Sequence, residues 1–195
     1  KLEALVDASP LAIVLRDAEG RIEKWNHAAE RIFGWKESEV LGRKAPFIPA
    51  GHEEEGLRFR RMILNGESFA DVEALRVRKD GAVIDVSMSA APVRDSAGAA
   101  TGFLTLIADV SARKHVEQRE NLQREITVLL AAAQTVEQAI PNVIRALCTA
   151  QGWAYGARWV LDRKSGVLSC AESWSVALPE VERFAKESSS RFHNP

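Results

Sequence analysis

The stretch Ala108-Asp109-Val110-Ser111-Ala112-Arg113-Lys114 joins two segments with different sequence patterns. Before it, residues 102–107 alternate in the manner of a strand and carry β-branched and aromatic side chains. After it, about twenty residues without Gly or Pro are rich in Glu, Gln, Arg, Leu and Ala, which predicts a helix. The stretch therefore converts a strand directly into a long helix.

Two interpretations of this stretch are open from its own residues. Asp109 or Ser111 can cap the helix by accepting hydrogen bonds from the free N–H groups of its first turn. Asp109 can also pair with Arg113, which lies on the same helix face. The stretch is either an ordinary helix cap or a mechanical joint between a sensing domain and an output helix.

The composition restricts the class of protein. A chain of 195 residues with 46% hydrophobic and 27% charged residues is typical of one or two soluble globular domains. The net charge of -1 predicts neither a nucleic-acid partner nor a membrane contact, and no apolar run approaches the roughly 18 residues that cross a bilayer. The isolated Cys148 and Cys170 predict neither a disulfide framework nor a zinc site, and they favour a reducing cytoplasm.

Upstream of the stretch, the predicted order is two strands, three short helices and three further strands. The first two strands form a hairpin around residues 17–20, and Asn26 is a candidate N-cap of the first helix. In the strand at residues 82–90, apolar side chains such as Val86 and Met88 alternate with polar ones. Helices on one face of an antiparallel sheet make an α+β domain, which we expect to span residues 1–110.

Several motifs of this segment, in the same order, resemble those of the PAS domain family. They are Asp17-x-x-Gly20-x-Ile22-x-x-Trp25-Asn26, Phe33-Gly34-Trp35-x-x-x-Glu39-Val40-Leu41-Gly42, Lys79-Asp80-Gly81 and Asp109-Val110-Ser111-x-Arg113-Lys114. The resemblance implies a five-stranded antiparallel sheet with short helices on one face, and a signal-sensing or dimerising role. It also implies that the closing motif is the junction between sensor sheet and signalling helix, with Asp109, Ser111 and Arg113 as the signal-relay residues.

The resemblance also limits the cofactors. A flavin photosensor of this family needs a cysteine in the helix after the Gly-Arg step, and here residues 44–47 supply none. Because no cysteine precedes Cys148, we expect neither flavin adduct chemistry nor a thioester chromophore in this domain. A haem-bearing relative needs a histidine on the third helix; this chain has Glu55 there, and His52 lies at the helix start. No cofactor and no metal site are predicted.

We expect either a closed core or a pocket for a small uncoloured ligand, whose identity the sequence does not reveal. The residues predicted to line such a pocket are Phe33, Phe47, Leu57, Arg60, Ile63, Val77, Val86, Met88 and Leu106. The guanidinium groups of Arg58, Arg60 and Arg61 would suit a carboxylate ligand, although most of a run at this helical spacing is expected to be solvated.

Residues 111–134 are the predicted signalling linker helix. Its apolar positions repeat at intervals of four and three residues, as in a coiled coil: Leu122, Ile126, Leu129, Ala133 and Val136. A parallel homodimer through this helix and a helix packed on its own domain both agree with so short a repeat. His115 lacks the sequence context of a phosphoacceptor histidine and is not assigned that role.

Residues 135–195 predict a helix, two strands around a turn at 163–166, and a further short helix. Thr135 and Gln138 form a capping box, although Pro141 leaves open a later helix start at Ile140. The pattern Ala146-Leu147-Cys148-x-x-x-Gly152-Trp153-x-x-Gly156-Ala157-x-Trp159 resembles the opening of a GAF domain. The resemblance implies an incomplete α/β domain, because that family needs more residues to close its sheet.

The sequence contains no P-loop, nucleophile elbow, metal-spaced His/Asp cluster or kinase nucleotide motif. We therefore expect a non-enzymatic, cytoplasmic sensory module that passes a signal through residues 109–114 to a dimeric helix. The helix would act on a downstream signalling domain of the same protein, such as a histidine kinase or a cyclic-di-nucleotide enzyme. The alternatives are a ligand-free dimerisation scaffold and the input domain of an enzyme whose catalytic part lies outside this chain.

Overall fold

The computed structural model describes residues 2–162 and 166–189. The chain divides into two compact units, Lys1–Lys114 and His115–Pro195, and the division falls inside one helix. Residues 163–165 of the turn predicted at 163–166, and the final residues of the predicted second domain, 190–195, lie outside the described residues.

The first unit is an antiparallel sheet with short helices against one face. Its elements are α1 (Leu2–Ala8), β1 (Ala12–Asp17), β2 (Ile22–Trp25), α2 (His27–Phe33), α3 (Glu37–Val40), α4 (Glu53–Leu64), β3 (Phe69–Val77), β4 (Val83–Arg94) and β5 (Ala100–Asp109). The strands lie in the order β2-β1-β5-β4-β3, and each neighbouring pair is antiparallel. The predicted α+β class and the five-stranded sheet are confirmed.

Asn26 ties the start of the sheet to its first helices. Its Oδ1 accepts hydrogen bonds from the N–H groups of Ala29 at 3.0 Å and Ile13 at 2.9 Å. Its Nδ2 donates to the carbonyl oxygens of Val6 at 2.9 Å and Leu11 at 3.0 Å. The side-chain amide therefore uses all its donors and acceptors although it is only 1% exposed, and the predicted N-cap of α2 is confirmed.

The core lies between the helices and the inner face of the sheet. β4 buries Val86 and Met88 on this face, as the alternation of its sequence predicts. Trp25, Phe33 and Phe47 form an aromatic cluster within it, and the centroids of the Phe33 and Phe47 rings are 4.6 Å apart. This cluster supplies the largest apolar surfaces of the core.

Two of the predicted pocket residues lie on the outer face of the sheet. Leu106 lies between Thr105 and Ile107, which are both buried on the inner face. Val77 likewise follows the buried Arg76 in β3. Because side chains alternate along a strand, Leu106 and Val77 cannot line a pocket under the helices, and the prediction is wrong for both.

The second unit contains most of α5 (Ser111–Ala132), then α6 (Val136–Gln151), β6 (Tyr155–Asp162), β7 (Val167–Ser175) and α7 (Pro179–Ser189). α5 ends at Ala132, two residues earlier than predicted, and Thr135 caps the separate helix α6. The apolar repeat therefore loses its last positions, because Val136 belongs to the next helix. Its half-buried part within α5 extends only from Leu122 to Leu129.

β6 and β7 form an antiparallel ribbon beside α6. A Cβ atom at Gly156 would lie 2.4 Å from the Sγ atom of Cys148 and 3.0 Å from Ile144, so only glycine permits this close approach of strand and helix. α6 begins at Val136 with Pro141 inside it, so the alternative helix start at Ile140 is wrong.

Candidate functional site

Asp109 holds the turn through which β5 runs directly into α5. Its Oδ1 accepts a hydrogen bond from the N–H of Ser111 at 3.0 Å. Its Oδ2 accepts one from the guanidinium of Arg78 at 2.5 Å. Arg78 belongs to the hairpin between β3 and β4, so Asp109 connects the last strand, the first helical turn and a neighbouring hairpin.

Further polar contacts fasten the first turn of α5 to β3 and β4. The Oγ of Ser111 accepts a hydrogen bond from the N–H of Asp85 at 3.0 Å, and the N–H of Val110 donates to the Asp85 carbonyl at 2.9 Å. The Nζ of Lys114 lies 2.8 Å from Oδ1 of Asp85 and 2.7 Å from Oε2 of Glu73. The helix therefore starts bound to two strands of the sheet.

The environment keeps the charged groups of this junction ionised near neutral pH. Burial alone would raise the pKa of Asp109, but the hydrogen bonds from Ser111 and the charge of Arg78 outweigh burial and hold that pKa below its usual value. Hydrogen bonds to Asp85 and Glu73 raise the pKa of Lys114. Asp109 therefore stabilises the junction until acid protonates it, and Lys114 stabilises it until alkali deprotonates it.

Asp109 and Arg113 each contact a charged residue outside α5. The cation that contacts Asp109 is Arg78, whereas the guanidinium of Arg113 lies 3.4 Å from Oε1 of Glu73. Of the predicted relay residues, the structure brings Asp109 and Ser111 together and places Arg113 at the exposed edge of β3. Arg78 escaped prediction because it is 31 residues from Asp109, a separation that leaves no periodic signal in the sequence.

A second candidate site lies on the inner face of the sheet. It is an enclosed cavity of about 20 Å³, which is room for one water-sized group. The predicted pocket residues that line it are Phe47, Arg60, Ile63 and Met88. The cavity is thus bounded by α4, by the segment before it and by the four strands β1, β5, β4 and β3.

A groove of about 320 Å³ lies beside this cavity, at the start of α4. The residues that line both spaces are Arg16, Ile48, Gly56, Arg60 and Phe103. These shared residues are what separates the cavity from the groove. The predicted residue Leu57 lines the groove, whereas Phe33 and Val86 are buried in the closed core and line neither space.

Two arginines of the cavity were not among the predicted residues. Arg76 is only 2% exposed, and its guanidinium lies 2.8 Å from Oε2 of Glu55. Arg16 donates to Oγ1 of Thr105 at 2.8 Å, and its guanidinium carbon lies 4.4 Å from the centroid of the Phe103 ring. The sequence signal that could have found them is a charged residue at an inward position of a strand.

The chemistry of these arginines is unusual for a protein core. Burial, and then the charge of Arg76, lower the pKa of Arg16 to about 9. The Nε atoms of Arg16 and Arg76 are buried and have no hydrogen-bond partner within the described part of the chain. Glu55 holds the position that the family resemblance associates with a haem ligand, and here it carries the negative charge opposite Arg76.

Within residues 2–162 and 166–189, no cluster of His, Cys, Asp and Glu side chains could hold a metal ion. None of the helices described there combines the length and apolar character that crossing a membrane requires.

Comparisons with known proteins match the first unit to a family. A family model described as PAS fold matches residues 1–110. An uncharacterized protein of Azorhizobium caulinodans is 33% identical over 129 residues, which are 62% of this chain and 17% of that protein. The sensor histidine kinase TmoS of Ectopseudomonas mendocina is 23% identical over 192 residues, which are 94% of this chain and 20% of the kinase. The chain thus spans a fifth or less of the length of these relatives.

A solved structure shares the arrangement of sheet and helices. It is described as an RNA-binding light-oxygen-voltage receptor, and it superposes with a TM-score of 0.52 at 28% sequence identity. The match covers 63% of this chain and 35% of the receptor.

Proposed function

The chain belongs to the PAS family, and from this premise we propose that it is a sensory relay module. Residues 1–110 receive a signal, and the junction at residues 109–114 passes it to α5. The similarity to the sensor histidine kinase TmoS supports a role in signal transduction. The PAS fold is a sensory fold, and we propose that this chain carries no catalytic activity of its own.

The observation that carries this proposal is the continuation of β5 into α5, with the first helical turn bound to two other strands. A shift of β4 would act on Ser111 and Lys114 through Asp85. A shift of the β3–β4 hairpin would act on Asp109 through Arg78. Couplings between sites in proteins are typically about 1–3 kcal/mol, which is within the reach of one or two such contacts.

The same strands connect the junction with the inner cavity. Arg76, on the inner face, donates a hydrogen bond to the carbonyl of Leu75 at 2.6 Å. Leu75 in turn is paired with Asp85 across the β3–β4 ladder. A ligand that displaces Arg76 would therefore move the backbone beside Asp85, which holds the start of α5.

We propose that the module is cytoplasmic, forms a homodimer through α5, and controls a downstream domain of the same protein. The exposed apolar side chains of Val128 and Leu130 and the stripe that begins at Leu122 support a helix partner. The second unit is proposed to be GAF-like, which its helix–strand–strand–helix order supports. The proposed parent is a histidine kinase or a cyclic-di-nucleotide enzyme, and the similarity to TmoS favours the kinase.

We propose further that sensing uses neither a flavin adduct nor haem. Residues 1–147 contain no cysteine, and an inner cavity of about 20 Å³ does not accommodate a three-ring cofactor. The residue at the position of a haem ligand is Glu55, which is paired with Arg76. The purified protein should therefore show no visible absorption band, and a flavin or haem spectrum would contradict this part of the proposal.

The relay is tested by Arg78→Met, which removes the partner of Asp109 without changing α5 itself. Hydrogen exchange of amides in the first two turns of α5 should accelerate about fivefold, because a charge-assisted hydrogen bond is lost. The amides of β1 should be unaffected. Arg94→Met is the matched control, because Arg94 is an exposed arginine that donates to Gly98 at the other end of β4.

Unchanged exchange in α5 of the Arg78→Met variant, or equal acceleration in the control, would show that the junction does not transmit. In the full-length parent, Arg78→Met should also separate output activity from the input signal while leaving basal output intact. The second candidate function, a ligand-free dimerisation scaffold, is favoured by the exposed apolar side chains of α5. If the chain is a scaffold, Ile126→Glu should convert the dimer to a monomer, which light scattering measures as a halved mass. The output of the wild-type parent should then not depend on any input signal.

A further inference from the structure

The inner cavity contains a positive charge that no described residue neutralises. Arg76 is paired with Glu55, and Arg60 donates from Nε to the carbonyl of Ala18 at 2.8 Å. The hydrogen-bond partner of Arg16 is the neutral hydroxyl of Thr105. No carboxylate contacts Arg16 within residues 2–162 and 166–189.

An unpaired guanidinium inside a domain is costly, so its presence calls for a reason other than packing. Buried polar atoms are nearly always hydrogen-bonded, yet the Nε atoms of both Arg16 and Arg76 have no described partner. The lowered pKa of Arg16 shows the same imbalance, because burial and Arg76 both disfavour its charged form. An anion placed between the two guanidinium groups would relieve all of these penalties.

We propose that this cavity binds the carboxylate group of a small organic acid, and that this acid is the signal which the module senses. The proposal rests on the sensory function argued above and names the ligand class of that function. The ring of Phe103 covers a face of the Arg16 guanidinium, so the remaining donors lie along its planar edge. A planar edge matches the two oxygens of a carboxylate, which guanidinium groups bind in pairs of parallel hydrogen bonds.

The neighbouring groove accommodates the rest of the acid. Its volume of about 320 Å³ is at the lower end of the range for small-molecule sites. The charged residues Glu19, Lys44 and Glu53 also line this groove. Its apolar part is formed by Ala45, Ile48 and Leu57, against which a short apolar body of the acid would pack. Tetrahedral phosphate fits less well, because it is bulkier than a planar carboxylate and would require the side chains around the inner space to move further apart.

Binding of the ligand would require the residues shared by cavity and groove to move apart. The side chains of Arg60 and Ile48 lie at this boundary. Ile48 packs against α4 at Gly56, where an added Cβ atom would lie 2.8 Å from the Cδ1 atom of Ile48. Their displacement would bring the carboxylate to Arg16 and Arg76 together. Arg76 would then carry the change to Leu75 and the strand that holds the junction.

The test uses acetate, the smallest probe of the carboxylate subsite, and hexanoate, which adds an apolar body. Each is titrated into the 195-residue chain at constant ionic strength against chloride, and the amide signals of Phe103 and Thr105 are followed by NMR. Both acids should bind saturably, and hexanoate should bind more tightly. Arg16→Met should weaken both by at least about tenfold, because a charged, partly buried hydrogen-bonding partner is removed. Arg61→Met, an exposed arginine of α4, should leave both affinities unchanged.

The site is refuted if acetate and hexanoate perturb these amides no more than chloride, or if Arg16→Met and Arg61→Met behave alike. Should Arg16→Met not fold, Arg16→Gln keeps hydrogen-bond donors without the charge and must also lose binding. Inorganic phosphate that binds more tightly than acetate would overturn the assignment to a carboxylate. If acetate binds but hydrogen exchange of the α5 amides is unaltered in Arg78→Met, the result supports this site and refutes the relay. A working relay without acetate binding would refute this site alone.

Discussion

The two units of the chain differ in how completely they bury their apolar side chains. The first encloses large residues, among them Trp25, Phe33, Phe47 and Ile107. In the described part of the second, the buried hydrophobic residues are Ala139, Ala146 and Cys148. Large side chains there remain accessible, with Trp153 57% and Phe184 55% exposed. A curved sheet under helices stabilises itself, whereas a two-stranded ribbon needs further apolar cover to be equally stable.

The largest test of this comparison is a pair of tryptophan truncations. Trp25→Ala should lower the free energy of unfolding of the first unit by about 3–5 kcal/mol, because the side chain is 2% exposed and contacts two aromatic rings. Trp153→Ala should change that of the second unit by about 1 kcal/mol or less. Hydrogen exchange measures each unit separately, and equal losses would mean that the second unit has a core as tight as the first.

A smaller effect is expected from the amide that joins α1, β1 and α2. Asn26→Ala should destabilise the first unit by about 2–4 kcal/mol, because it leaves one buried and one partly buried N–H donor and two partly buried carbonyl acceptors without partners. Asn121→Ala is the matched control in the second unit, where the side chain accepts from Arg124 on an exposed helix face. Denaturant unfolding should show no measurable change for the control, and a similar loss in both would argue against the four-bond account.

Substitution of Gly156 tests how tightly the β6–β7 ribbon packs against α6 in the second unit. Gly156→Ala should destabilise this unit by about 1–3 kcal/mol, because the new methyl overlaps Cys148 and Ile144. The first unit should be unaffected, and exchange of its β4 amides is the internal control. If Gly156→Ala does not change the stability of the second unit, α6 and the ribbon separate easily. The two units would then differ even more in how tightly they are packed.

The fold of the first unit was predictable because its signals are local. The cap at Asn26, the glycines that end the short helices and the alternation around Val86 all act within a few residues. Arg78, which contacts Asp109, and the partly buried Arg16 were not predictable in this way. Arg78 meets Asp109 across 31 residues, and Arg16 faces inward only because β1 pairs with β5 in the observed register. Leu106 and Val77 were misplaced for the same reason, since a shift of one residue along a strand exchanges the faces of the sheet.

The coiled-coil prediction failed at its end for a different reason. The repeat continued numerically through Val136, but Thr135 supplies a strong N-cap and starts a new helix there. A capping signal and a heptad signal competed, and the cap prevailed because it satisfies N–H groups that the helix would otherwise leave free. The predicted cap at Thr135 is confirmed, whereas the apolar repeat by itself continues past the end of α5.

The smallest expected effect concerns the helix shared by the two units. Asp109→Asn should lower the stability of the first unit by about 1 kcal/mol at neutral pH, because the half-buried carboxylate loses its charge opposite Arg78. The pKa of Asp109 is held below its ordinary value of 3.8, so the contribution of the carboxylate is complete above that pH and is lost as the pH falls further. The difference between wild type and variant should therefore shrink on acidification below pH 3.8 and not on raising the pH towards neutrality.

An ion pair in the second unit provides a comparison for the effect expected at Asp109. Glu172 is paired with Arg158 across the β6–β7 ribbon, and hydrogen bonding to that guanidinium lowers its pKa. Glu172→Gln should therefore accelerate exchange in the ribbon alone, whereas Asp109→Asn should accelerate it in the first turns of α5. Suppose instead that hydrogen exchange in α5 were unchanged by Asp109→Asn but accelerated by Glu172→Gln. The start of α5 would then be stabilised by the second unit and not by the sheet. This result would contradict the comparison of the two units, in which the first unit is stable by itself and the second depends on further contacts.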